Sequence, residues 1–450
     1  VSIDGDEAGP GCEDAEWAPL AHERFDIPYR HPYHLGLYMA VNAIPGCYAI
    51  IDGPDCLYRK AEWIHGKHDR CSTLLDAGAR HRIVPTMMHS GELIKSKGEE
   101  VRARLLRVAQ LPRAELMLVN SMPHVQIIGT QYDKIIAEVE AEIPCPIIEV
   151  PSRALEGDWL EGYAEVLTSL AERLPLARAP RPSPDKVAII GVLMDRTEAD
   201  HGANVDELER CVRGLGLEPV STWLGDRGPA SLARAAEAGI LLALPHGREA
   251  AEAFARRTGA SVVAVGQPFG FAATIRMLRA LARASGRAAE AEAFIAAELR
   301  RLLPRLEWFV SSVFLGRRVA FLGDPTLFDG LLDGLSELGV QVVYLCASAR
   351  RPAHGVELDE AVHGQRPPTC FAPPRSTLAR HLARLAPELD LIIGASELPA
   401  REAEIAGVDL FEFGFPCFYR HAIFDAPFLG FRGWAWFAQE VANLLIRRPR

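Results

Sequence analysis

Short apolar runs rich in β-branched residues alternate along this chain with longer Ala-, Leu-, Arg- and Glu-rich stretches of helical period. Runs of about five apolar residues are too short for helices. Bounded by turn residues, they read as strands buried on both faces, and their alternation with helices predicts repeated βα units and parallel sheets. The runs fall into three groups: Tyr48–Asp52, His81–Pro85, Leu116–Asn120 and Pro146–Val150; Val187–Val192, Ile240–Leu244 and Ser261–Val265; Arg318–Gly323, Val340–Leu345 and Asp390–Gly394. Each group suits one small domain, so the pattern predicts an α/β fold of three Rossmann-like, doubly wound domains.

The stretch Leu174–Pro184 holds four prolines and reads as a linker, because proline removes a backbone donor and breaks helices. A second boundary falls near Val310, after the Ala-rich helical stretch from Ala272 to Leu306. The expected organisation is an N-terminal extension over 1–23 and α/β domains over 24–184, 185–310 and 311–450. The length of 450 residues suits three domains better than one core.

Composition narrows the class. Hydrophobic residues at 49% and charged residues at 24% are globular usage, and no apolar run is long enough to span a bilayer. The acidic Val1–Asp14 does not resemble a signal peptide, so the expectation is a cytoplasmic protein without a membrane partner. A net charge of −10 argues against a nucleic-acid partner. Nine cysteines without an evident signal peptide read as reduced thiols rather than a disulfide framework, with Cys211, Cys346 and Cys370 as small buried residues.

The segment Gly46–Cys56 has candidate chemistry. An apolar strand ends in Asp52-Gly53-Pro54-Asp55, a turn sequence, and Cys56 follows at the strand's carboxyl end, where open α/β sheets bind ligands. Cys71 lies fifteen positions on, behind His65, His68 and Asp69. Thiolates select zinc, copper(I) or iron–sulfur clusters and carboxylates supply some of the remaining ligands, so Cys56, Cys71, Cys47 and, through an oxygen, Asp55 are candidate metal ligands. Cys47 begins the strand; nine extended residues at about 3.3 Å each place it roughly 25–30 Å from Cys56. His31, His34, His65, His68, His89 and His124 concentrate in the same domain as candidate proton donors, while His246 reads as a structural histidine. Neither Gly-x-Gly-x-x-Gly nor a P-loop occurs, so dinucleotide binding and ATP hydrolysis are not expected of this chain.

The segment Tyr48–Leu57 resembles the strand, His-Gly-Pro-x-Gly and cysteine of nitrogenase component 1 proteins, with one turn residue fewer. Met87-Met88-His89-Ser90-Gly91-Glu92, Leu116–Gly129, Asn204–Leu208 and Gly316–Pro325 fit the same family in order. Phe413-Gly414-Phe415-Pro416, Arg420-His421 and Leu429–Gly433 resemble the β-type subunits of this family, which takes in the nitrogenase molybdenum–iron protein and light-independent protochlorophyllide reductase-like proteins.

The resemblance implies a subunit of an iron–sulfur reductase. Cys56 takes the place of the central cluster cysteine, a 4Fe-4S cluster is the implied cofactor, and a homologous subunit, in a heteromer or homodimer, is the implied partner. Electrons would come from a separate ATP-dependent iron–sulfur protein and pass to a small-molecule substrate. Two departures stand against this: Arg30-His31-Pro32 and Ser121-Met122-Pro123 occupy places where the family carries cysteines. A scaffold or carrier for a metal cluster or tetrapyrrole, and a cluster-free family member, are therefore the alternative readings.

Overall fold

The computed structural model describes residues 11–75, 78, 80–87, 98–126, 129–176, 182–225, 227–352 and 367–447. His89, most of the motif around it, Ile127-Ile128 and the middle of the proline-rich stretch lie outside them. Three sheets form, with strands grouped as the apolar runs predict. The third sheet includes β1 (Gly11–Cys12), the chain's first strand. In the first sheet, β2 (Cys47–Asp52) lies between β3 (Ile83–Pro85) and β4 (Leu116–Ser121), with β5 (Ile147–Glu149) outermost; all pairs are parallel.

The second sheet, also parallel, has the order β7 (Glu218–Thr222), β6 (Ser183–Ile190), β8 (Ala238–Ala243), β9 (Ser261–Ala264). The third runs β1, β12 (Thr369–Phe371), β11 (Gln341–Ala347), β10 (Arg318–Gly323), β13 (Leu391–Gly394), β14 (Asp409–Glu412). Four strands escape the apolar pattern. β1 and β12 are very short, β7 carries a proline, and β14 holds only Leu410 and Phe411 between acidic residues.

Helices cover both faces of the sheets, and backbone proximity sets one packing in particular. The helices Tyr33–Asn42 and Trp159–Arg173 cross at Gly36 and Gly162. A Cβ on Gly36 would stand 1.7 Å from the Trp159 carbonyl oxygen, and one on Gly162 2.1 Å from that of Tyr33. Backbone cannot yield as a flexible side chain does. Gly36→Ala is therefore expected to destabilise the first domain by about 1–3 kcal/mol, the range for overpacking. Urea unfolding checks it; an unchanged midpoint would show that the helices separate at little cost.

The N-terminal segment straps the third domain. β1 forms the edge of the sheet by pairing antiparallel with β12, with Cys12 opposite Cys370, and the two sulfurs form a disulfide. This corrects the expectation that all nine cysteines are reduced and that Cys370 is a plain packing residue. The two positions are separated by 358 residues, and only the edge pairing brings them together. Farther along the strap, Trp17 packs on Tyr344 and His381, while the Glu23 carboxylate accepts from Arg380 and Thr377. Hydrogen bonding by Arg380 lowers the Glu23 pKa to about 2.

Candidate functional site

β2 is fully buried and places its carboxyl end at a turn held from several directions. The buried Asp52 carboxylate accepts from the Thr86 hydroxyl at 2.8 Å and the Tyr132 hydroxyl at 2.7 Å. Burial raises the Asp52 pKa. Its carbonyl accepts from Met122 N, and Gly53 N donates to Thr86. Asp52 is thus the anchor of the turn. The next residues, Asp55 and Cys56, are exposed, and Cys56 opens the helix Cys56–Trp63. A thiol in the first turn of a helix sits where backbone N–H groups favour negative charge.

Cys71 is also exposed. Its loop is pinned between domains: the Asp69 carboxylate accepts from Cys71 N at 2.9 Å and from Glu198 N at 2.8 Å, and the His65 ring bonds the Ser72 carbonyl. Cys47 stands at the opposite end of β2, wholly buried in the core, where burial pushes its thiol up to about 12. Among the described residues, one group of three Cys, His, Asp or Glu side chains has ligand atoms close enough to hold a metal together, and it contains neither Cys56 nor Cys71.

Three histidines of the set are buried and neutral: burial lowers His31 to about 3 and His34 and His68 to about 4. His65 and His124 are half-buried. His68 bridges all three domains. Its Nδ1 accepts from Cys417 N at 2.9 Å, so Nε2 carries the proton and donates to the Arg196 carbonyl at 2.8 Å. The neutral ring is satisfied at both nitrogens; a second proton would displace the Cys417 bond.

This fixes a pH dependence. The His68 pKa falls from 6.5 to about 4 on folding, so the unfolded chain binds the extra proton across that window. Its contribution is complete above 6.5 and is lost as pH falls toward 4. His68→Gln is expected to flatten the decline in unfolding midpoint between those values. An equally steep decline in the variant would assign the acid sensitivity elsewhere.

Around His68 the domains meet on packed side chains. Phe415 lies 4.7 Å from His68, 5.2 Å from His31, 5.3 Å from Trp63 and 5.4 Å from Trp159, ring centre to ring centre. Trp159 Nε1 donates to the Ser348 carbonyl. The buried Arg196 donates to Asp200 at 2.8 Å and lies over the Phe413 and Trp436 rings. His246 bonds the Asp324 carboxylate at 3.1 Å. The weight of Arg196 and Asp200 is not evident in sequence, whereas Phe413, Phe415 and Asp324 sit in motifs already singled out.

Beyond Cys417 the chain leaves this core. Glu412 accepts from the backbone N–H groups of Phe418 and Tyr419, shaping a loop in which Phe418 packs on Trp63 at 5.4 Å. Tyr419, Ile423 and Phe424 are 81%, 91% and 85% exposed, so the stretch that follows Phe418 carries bare apolar side chains. No helix among the described residues is long and apolar enough to cross a membrane.

Comparison with known proteins agrees with this architecture. The family model for nitrogenase component 1 type oxidoreductases matches residues 33–446. The nitrogenase molybdenum-iron protein beta chain of Frankia alni is 24% identical over 332 residues, covering 67% of this chain and 60% of that protein. The match thus spans less than two thirds of that relative's length. Among solved structures, nitrogenase Cp1 at pH 6.5 superposes with a TM-score of 0.80 at 16% identity, covering 94% of this chain and 93% of the other. Nitrogenase Cp1 at pH 5 gives 0.73 at 15% identity, covering 94% and 89%. At such identities these structures establish the fold.

Proposed function

This chain belongs to the nitrogenase component 1 type oxidoreductase family, and we propose that it works as a β-type subunit of an iron–sulfur reductase, with Cys56 and Cys71 as its ligands to a cluster shared with a homologous subunit. One observation carries the reading: Cys56, at the head of the helix that follows β2, and Cys71 are both exposed thiols of the first domain, and neither belongs to a group of three close metal-ligating side chains among the described residues. A four-iron cluster takes about four protein ligands. Two from here and the rest from a partner complete the set, with Asp55 as a further oxygen donor at the turn.

When bound, the cluster would supply one-electron transfer between an ATP-dependent iron–sulfur donor and the substrate. The chain's own residues hold the ligands in place. Asp52, Thr86 and Tyr132 fix the turn that presents Cys56. Asp69 fixes the loop that presents Cys71 against the second domain. Tyr419, Ile423 and Phe424 offer apolar surface of the kind that protein partners cover. The relatives support a heteromer through their β-chain likeness; the exposed pair would serve a homodimer equally by contributing twice.

Light scattering of the anaerobically reconstituted protein tests assembly. The expected result is iron that travels with a dimer or larger species and an iron-poor monomer. A monodisperse monomer with full iron would overturn the shared site. Turnover with a reconstituted electron donor separates a reductase from a carrier that binds the same cluster without reducing anything.

A further inference from the structure

The group of close metal-ligating side chains among the described residues lies far along the chain from Cys56, under the N-terminal strap: Cys12, Cys370 and His381, with all ligand atoms within 4.8 Å of one another. His381 is fully buried on the helix Arg375–Leu385. Its Nδ1 is bonded to the Tyr344 hydroxyl at 2.8 Å. Its Nε2 is buried and makes no hydrogen bond of full geometry, the Trp17 backbone offering the ring only a weak one. A buried ring nitrogen so weakly partnered is costly. One with its other nitrogen fixed by a hydroxyl has the arrangement of a metal-ligating histidine, whose second nitrogen is held by an outer hydrogen bond.

We propose that Cys12, Cys370 and His381 form a redox-controlled site for a zinc-class divalent cation: a disulfide when oxidised, a Cys2His ligand set when reduced. Two thiolates and an imidazole are a donor set that zinc prefers. With zinc–sulfur bonds of about 2.3 Å, tetrahedral geometry needs sulfurs about 3.8 Å apart. Opening the disulfide allows that separation, and the three donors already lie within 4.8 Å.

Cys12, half-buried on a two-residue edge strand, gives the ion its route in and leaves the fourth position to water. Reduction by a phosphine converts the disulfide and one water to two thiols and the phosphine oxide. Zinc binding then releases the two thiol protons. In both states the strap stays fastened to the sheet edge; in the reduced, metal-free state it is held by β1 pairing and side-chain contacts alone.

The test uses the full chain, reduced anaerobically with a phosphine and stripped of metal, then given zinc or, as an optical probe, cobalt(II). Reduced protein is expected to take up about one zinc equivalent more than disulfide-bonded protein and to show tetrahedral cobalt bands with thiolate charge transfer. Cys12→Ser, at a half-buried edge position that tolerates serine, should lose that equivalent, and His381→Phe should lose the tetrahedral spectrum. Cys56→Ala/Cys71→Ala should retain both. Full uptake by Cys12→Ser, or an unchanged cobalt spectrum in His381→Phe, would overturn the proposal. Limited proteolysis supplies a readout independent of stoichiometry: zinc should slow cleavage within residues 11–32 of reduced wild type, and equal cleavage with and without zinc would overturn it.

Discussion

Cys56→Ala is expected to lower cluster iron, and any reductase turnover, about tenfold or more while leaving the unfolding midpoint within about 0.5 kcal/mol of wild type. The side chain is exposed, so alanine removes no packing, and alanine is a good helix former at the head of Cys56–Trp63. The turn survives because Asp52, Thr86 and Tyr132 hold it through groups that the substitution does not touch. Iron analysis and absorbance of anaerobically reconstituted protein read the result. Full iron with full activity in the variant would remove Cys56 from the site.

Arg196→Ala should have the largest effect on stability, about 3–5 kcal/mol, because it strips a buried carboxylate of its cation. Arg196 and Asp200 are 3% and 1% exposed, and the Thr197 hydroxyl alone would remain on the deserted oxygen. The loss also removes a guanidinium from the faces of Phe413 and Trp436, so it loosens the second domain from the third. The pairing itself is not the stabiliser: an Arg196→Met/Asp200→Leu variant should recover much of the loss, since apolar replacement of both partners spares the cost of desolvating an unpaired charge. Urea unfolding of the three proteins decides the matter. A single variant within about 1 kcal/mol of wild type would mean that water reaches Asp200 and that the junction is less closed than its packing indicates.

The strands of the sheet interiors were readable because burial on both faces forces a continuous apolar run, as in Ile240–Ala243 or Val319–Leu322. Edge and near-edge strands carry no such mark. β7 with Pro219 and β14 between Asp409 and Glu412 need few apolar residues, and β1 is strand only because β12 is there to pair with it. Cys56 was legible for a related reason. A turn sequence after an apolar strand fixes where the next side chain emerges, and the structure puts that thiol at the exposed head of a helix.

By itself, then, the amino-acid order determined the βα alternation, the three strand groups, the turn that presents Cys56 and the family motifs, all of which depend on neighbours within about ten residues. Only the tertiary structure decided which thiols meet. Cys12 and Cys370 bond across 358 residues and Cys47 is sealed in the core. His68 joins Arg196 to Cys417 across three domains. Such pairings follow from how sheets and helices pack, and packing sums many weak contacts between segments remote in sequence. No local pattern has to change for those partners to be different ones.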